Sequence, residues 1–211
     1  MTPRRAAGVL FLLGATVYVG GEAIAAAAFP GYSYAANYIS DLGVPDVEVY
    51  QGRTIDSPLS VVMNAAFVLQ GLLYLAAAML AALPGRARPA FLGAAVAFAV
   101  GSALIGVVHG SAASAASGIG GLHVLGAALA IIGGNAASIL AGVTARRSAP
   151  RYAVTSIALG VLGLAGLVLL RVDSGSASID LLPDGVWERI AVYAITAWQV
   201  VTGVGLLRRA R

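Results

Sequence analysis

Asp41, His123 and Glu188 are the side chains with which this chain of 211 residues could hold and pass a proton. A carboxylate beside an imidazole raises its basicity and fixes its tautomer, and a base so placed activates water or a lipid hydroxyl. Asp41 or Glu188 is the expected orienting acid and His123 the expected base. Each also has a structural use: Asp41 can brace its own loop by accepting backbone N–H groups, and His123 can serve as a donor at a helix start. His109 and His123 stand fourteen residues apart across a Gly/Ser/Ala stretch, without HxxxH or HExxH spacing, so no metal is expected. Ser40 and Ser111 lack the GxSxG setting of an activated nucleophile. No cysteine is present, which removes thiol chemistry and thiolate metal sites, and no cofactor is expected.

The elements that must position these groups are membrane helices. The chain is 59% hydrophobic and 10% charged, against about 25% charged in soluble domains, so lipid is its solvent. Apolar runs long enough to cross a bilayer occur at 6–29, 58–82, 90–108, 122–144, 152–172 and 188–207. The first is too long for a cleaved signal peptide and reads as a span. The expected fold is all-α, a single polytopic bundle over residues 1–211 with six transmembrane helices and a structured first loop.

All thirteen basic residues are arginines. Ten flank alternate spans: Arg4, Arg5, Arg86, Arg88, Arg146, Arg147, Arg151, Arg208, Arg209 and Arg211. The other connections and the helix ends beside them hold all nine acids and only Arg53, Arg171 and Arg189. The positive-inside rule then puts both termini in the cytoplasm, with the plasma membrane as the expected location. The pI near 9.8 is an orientation signal and not a nucleic-acid footprint.

The first loop is the longest polar segment. Ser33 as cap and Gly43 with Pro45 as stop predict a short surface helix over 34–42, with Asn37, Ser40 and Asp41 on one face. Tyr32, Tyr34, Tyr38 and Tyr50 suit the headgroup layer. Ser57-Pro58 reads as the cap of the second span, and Asp184 as that of the sixth. Polar groups in lipid turn inward by default. Glu22 is expected to bond Tyr18 or to pair with Arg171 or Arg189, and Asn64, Gln70, Asn135 and Gln199 to bond between helices. Glu188 and Gln199 share a stripe, being about 20° apart around the helix. Gly126, Ala127, Ala130 and Gly134, and Gly160, Gly163 and Gly166, are small-residue stripes for close packing. Polar groups gather at one end of the bundle, so the expected pocket opens on the outer side.

The loop Tyr38-Ile39-Ser40-Asp41-Leu42-Gly43 resembles the Y-I-S-D-x-G signature of the DRAM-like superfamily, which includes autophagy modulators, Sfk-type regulators and GPI-lipid-remodelling proteins. Asn64 early in the second span, His123 opening the fourth and Trp198 within the sixth match the same order, and bacterial six-helix relatives of unknown function are more similar still. The resemblance implies six spans with both ends cytoplasmic and a link to lipid. Some members carry a carboxylate just before the sixth-span Trp; here Ala197 stands there, and Glu188 is the remaining substitute. The resulting expectation is an outward-facing polar pocket that binds or remodels a lipid or other amphiphile. Asp41, His123 and Glu188 are its candidate catalytic groups, and Asn37, Ser40, Asn64, His109, Arg189 and Trp198 its candidate binding residues. Two alternatives stand beside it: a non-catalytic scaffold for a membrane protein partner, and a small-solute transporter.

Overall fold

The structure is a computed structural model that describes residues 1–81, 83, 85–176 and 181–208. Six helices are long and apolar enough to cross a membrane: α1 (Pro3–Ala28), α2 (Ser60–Ala81), α3 (Arg88–Val107), α5 (Gly120–Ala145), α6 (Pro150–Ser174) and α7 (Asp184–Arg208). A further short helix, α4 (Ala112–Ala116), lies between α3 and α5. Helices satisfy every backbone group internally, which lipid requires. Prolines sit in the first turns of α1, α3 and α6, where no N–H is needed. Thr2 caps α1 by accepting the Arg5 N–H, and α1 stops just before Pro30.

The six long helices form a ring in the order α1, α2, α3, α5, α6, α7, and α7 closes back on α1. Small residues set the close approaches. Gly101 of α3 lies against Gly126 and Ala130 of α5, so closely that a Cβ there would strike their backbone. The α5 stripe divides its work: Gly126 and Ala130 face α3, while Gly134 abuts Ile195 of α7. Gly160 and Gly163 of α6 face α5 at Ile139 and Asn135, and Gly166 faces α7. The middle of the ring is aromatic. Tyr74 stacks obliquely on Phe98 at 4.3 Å, and Phe11 meets Tyr74 and Trp198 edge-on at 5.4 Å. Beside this cluster Gln70 donates to Gln199 at 3.0 Å, as the intramembrane amides were expected to do.

With six spans, both chain ends lie on one face, here the termini face. The opposite, loop face is covered by residues 29–59 and by α4. Within this cover β1 (Glu48–Tyr50) and β2 (Arg53–Ile55) form an antiparallel hairpin, with Tyr50 opposite Arg53. Gln51 and Gly52 both take positive φ, 50° and 78°, the conformation of a tight two-residue hairpin turn. Glu48 reaches across and accepts the Ala112 N–H at the start of α4 at 3.0 Å.

The expected helix over 34–42 is not formed. Ser33 does cap one turn, accepting the Ala36 N–H, and residues 40–43 form a separate 3-10 turn. Between them the backbone groups a helix would use are bound elsewhere. The Tyr38 N–H goes to the Asp41 carboxylate and the Ile39 N–H to Glu188. The Tyr34 and Asn37 carbonyls accept from Arg189. Ser57 does not cap α2, which begins at Ser60; its hydroxyl donates to the Leu42 carbonyl and ties the loop down.

Candidate functional site

Two side chains of α7 build the loop face. Arg189 is 7% exposed and donates through Nη1 to the carbonyls of Tyr34 (2.6 Å), Asn37 (2.9 Å) and Gly185 (3.0 Å). Its Nη2 donates to the Tyr32 hydroxyl and pairs with Glu22 at 3.1 Å. Glu22 is 1% exposed, and its second oxygen accepts from the Tyr193 hydroxyl at 2.8 Å. Of the partners expected for Glu22, Arg189 is the one it meets; Tyr18 and Arg171 are not among its bonds. A buried arginine needs partners for its donors; both Nη groups find them while Nε has none, so Arg189 fixes the loop as well as neutralising Glu22. Burial raises the Tyr32 phenol pKa well above its usual value. Tyr38 is raised too, first by burial and then by its hydrogen bond to Asp184 at 2.7 Å. Both stay protonated donors.

Asp41 is held within the loop. It is 1% exposed and accepts from Asn37 Nδ2 (3.2 Å), the Tyr38 N–H (3.0 Å) and Arg53, whose Nε lies at 2.9 Å and whose Nη2 lies at 3.3 Å from the other oxygen. Arg53 also stacks over the Tyr38 ring at 4.2 Å. This two-point pair joins the hairpin to the 3-10 turn. Gly43 closes the turn, and the Asn64 side chain lies where a Cβ there would stand. Asn64 Nδ2 donates to the Gly43 carbonyl at 2.8 Å and lies 3.2 Å from His109 Nε2.

Beneath this cover lies a cavity of about 550 Å³. Its polar wall holds Tyr38, Ser40, Asp41, Arg53, His123, Arg171 and Glu188. Its apolar wall is Val124, Ala127 and Ile131 of α5 with Leu167 and Leu170 of α6. A smaller chamber of about 40 Å³, with room for a water or two, lies deeper, beside Tyr18, Gln70 and Ser102. Ser40, His123 and Glu188 are the polar residues that line both.

His123 is chemically defined by one bond. Its Nδ1 lies 2.7 Å from the Val108 carbonyl, which can only accept, so Nδ1 carries a proton. In the neutral ring Nε2 then keeps its lone pair, with Gly110 packed beside it. Among the described residues Nε2, the Ser40 hydroxyl and the second Glu188 oxygen have no hydrogen-bond partner. An imidazole lone pair, a hydroxyl and a carboxylate around one neck can accept, donate and relay protons to a bound headgroup or water. Among the described residues no three His, Asp or Glu side chains are grouped as metal ligands.

The structure therefore brings Asp41, His123, Glu188 and Ser40 to one cavity. It does not bring the other candidates there. Asn37 bonds within the loop, Asn64 and His109 bond one another, Arg189 occupies the latch, and Trp198 sits in the aromatic cluster. Arg53, Tyr38 and Arg171 were not singled out as site residues. Arg53 had a visible signal, since it stands alone among the loop acids Asp41, Asp46, Glu48 and Asp56. At the termini face, where no pocket was sought, lies a larger cavity of about 840 Å³.

No curated protein matches this chain. No solved structure matches it either. A family model matches residues 12–205, nearly the whole chain, and the protein is thereby a member of the membrane family described as "Protein of unknown function (DUF998)".

Proposed function

We propose that the loop-face cavity binds an amphiphile of the surrounding membrane. The observation that carries this reading is the cavity's two-sided wall. Polar side chains, among them Tyr38, Asp41, Arg53, His123 and Glu188, make one wall, and apolar residues of α5 and α6 make the other. From His123 to Ile131 the α5 wall descends about 12 Å at 1.5 Å per residue, enough to take part of an alkyl chain. The headgroup would lie against Ser40, His123, Glu188 and Arg171. The Arg171 guanidinium has no partner among the described residues and suits a phosphate or carboxylate. The resemblance of the first loop to the DRAM-like superfamily supports a lipid ligand. Arginine asymmetry supports a plasma-membrane protein with the termini face cytoplasmic and this cavity outside.

Remodelling of the bound molecule would use the His123 Nε2 lone pair as base toward a headgroup hydroxyl or a water in the deeper chamber. The Gln70–Gln199 pair and the aromatic cluster stand between this cavity and the one at the termini face, which favours binding over passage of a solute. The test is retention of lysophospholipid by purified protein, read by native mass spectrometry. We expect wild type to retain one molecule, Ala127→Leu to lose it while remaining folded, and His123→Ala to lose it with a small drop in melting temperature from the lost Val108 bond. Full retention in Ala127→Leu, or loss only where the variant unfolds, overturns the reading.

A further inference from the structure

The 840 Å³ cavity at the termini face differs in kind from the one under the loop. Its inner wall is Phe11, Phe91 and Trp198, the underside of the aromatic cluster. The polar side chains along it are already satisfied. Thr144 donates to the Leu140 carbonyl at 2.8 Å, and Tyr152 and Thr202 bond one another at 3.1 Å. The interior thus offers a ligand mainly apolar contact. Its size lies in the range of about 300–1,000 Å³ usual for ligand sites. From Arg208 to Trp198 it runs about 15 Å along α7.

The mouth is the opposite. Arg4 and Arg208 line it, both exposed, and neither guanidinium has a partner among the described residues. No Asp or Glu occurs in the sequence near the termini-face ends of the spans, so no acidic side chain is at hand to neutralise them. An apolar shaft under an unneutralised cationic rim, opening where a bilayer places its headgroups, matches one ligand chemistry. We propose that this cavity holds one acyl chain of an anionic membrane lipid, with the phosphate between Arg4 and Arg208. The site is separate from the loop-face cavity and does not depend on the reading given for it.

Trp198 forms the end wall and supplies the measurement. The second tryptophan, Trp187, lies eleven residues away at the loop end of α7 and is silenced as Trp187→Phe. This protein is placed in bilayer nanodiscs of phosphatidylcholine. Phosphatidylglycerol carrying mid-chain bromine, a short-range quencher, is then titrated in. The expected result is saturable quenching of Trp198 at low phosphatidylglycerol content. Phosphatidylcholine with the same brominated chains should quench weakly. Arg4→Gln and Arg208→Gln should each shift the titration about fivefold, the usual effect of one basic residue at an anionic surface. Gly205 lines the cavity, and a Cβ there meets nothing within 4 Å, so Gly205→Leu puts its bulk out from an open position and should abolish quenching. Equal quenching by the two headgroups, or full quenching in Gly205→Leu, overturns the proposal. If Gly205→Leu does not fold, the headgroup comparison and the arginine variants decide it. Loss of lysophospholipid from Ala127→Leu leaves this result unchanged, so the two cavities are tested separately.

Discussion

At the loop face Arg53 and Arg189 each meet a carboxylate, at 2.9 and 3.1 Å. At the termini face Arg4, Arg88, Arg151 and Arg208 meet none among the described residues. The same side chain does two kinds of work. Buried beside Glu22, a guanidinium seeks partners for its Nη donors, and the carbonyls they find hold the path of the first loop. Exposed at the other end, a guanidinium ties down no distant segment: Arg146 donates only to the Val143 carbonyl three residues back, and its charge is left for the membrane surface to read. Burial, rather than residue type, decides whether a charge specifies structure or only position in the membrane.

The largest contrast expected from this comparison is one of accessibility. The chain has no cysteine, so single cysteines report cleanly. Val47 is 75% exposed on the loop cover, and Ser148 is exposed between α5 and α6. In intact cells an impermeant maleimide should label Val47→Cys fully and Ser148→Cys only after permeabilisation. Labelling in the reverse order would invert the orientation inferred from the arginines. The neighbouring Ala149 is 8% exposed and would report packing rather than sidedness.

The next effect is on stability. Arg189→Leu leaves Glu22 buried without a cation and strips donors from the Tyr34 and Asn37 carbonyls. The expected loss is about 3–5 kcal/mol, read by denaturation in detergent micelles. Arg4→Gln, which breaks no pair, should stay within about 0.5 kcal/mol. Glu22→Leu together with Arg189→Leu should recover part of the loss, because the uncompensated charge goes with its partner. Similar costs for Arg189→Leu and Arg4→Gln would show that the buried latch adds nothing beyond an exposed arginine.

Six spans were readable because lipid leaves few alternatives, although the expected caps were not: Ser57 bonds Leu42, and Asp184 is the first residue of α7 and accepts from Tyr38. An apolar run of 20 residues must be helical, and the helix ends fall within four residues of the sequence reading at every span. The first loop was read less well, for a physical reason. Ser33 and Gly43 carry local cap and stop signals, and both act locally as expected. The break between them is imposed by Arg189 and Glu188, about 150 residues away, and no local pattern encodes that. The hairpin was missed although its signal is local: Gln51-Gly52 between Glu48-Val49-Tyr50 and Arg53-Thr54-Ile55 alternates around a turn. Glu22 with Arg189 was legible as one of a few pairings, since a buried carboxylate needs a cation and few were in reach. The larger termini-face cavity was not legible, since it is lined by residues that look like ordinary packing.

The smallest effect expected lies between the two faces, at Gln70 and Gln199. The two amides share one bond of 3.0 Å, and Gln199 Nε2 is buried without a partner, packed near Gly14. Gln70→Leu or Gln199→Leu alone leaves the other amide less satisfied and should cost about 1 kcal/mol. Replacing both removes the demand along with the bond and should cost about 1.4 kcal/mol, less than the two single losses together. The cycle should then give a coupling of about 0.6 kcal/mol, the average for hydrogen bonds between membrane helices. It is small because each amide finds other partners in the partly unfolded state. A coupling of that size marks a local tie between α2 and α7. A coupling above about 2 kcal/mol would be too large for one neutral bond. It would mean that the pair also holds the aromatic cluster in register. The floor of one cavity and the end wall of the other would then move together, and the two faces would no longer be independent.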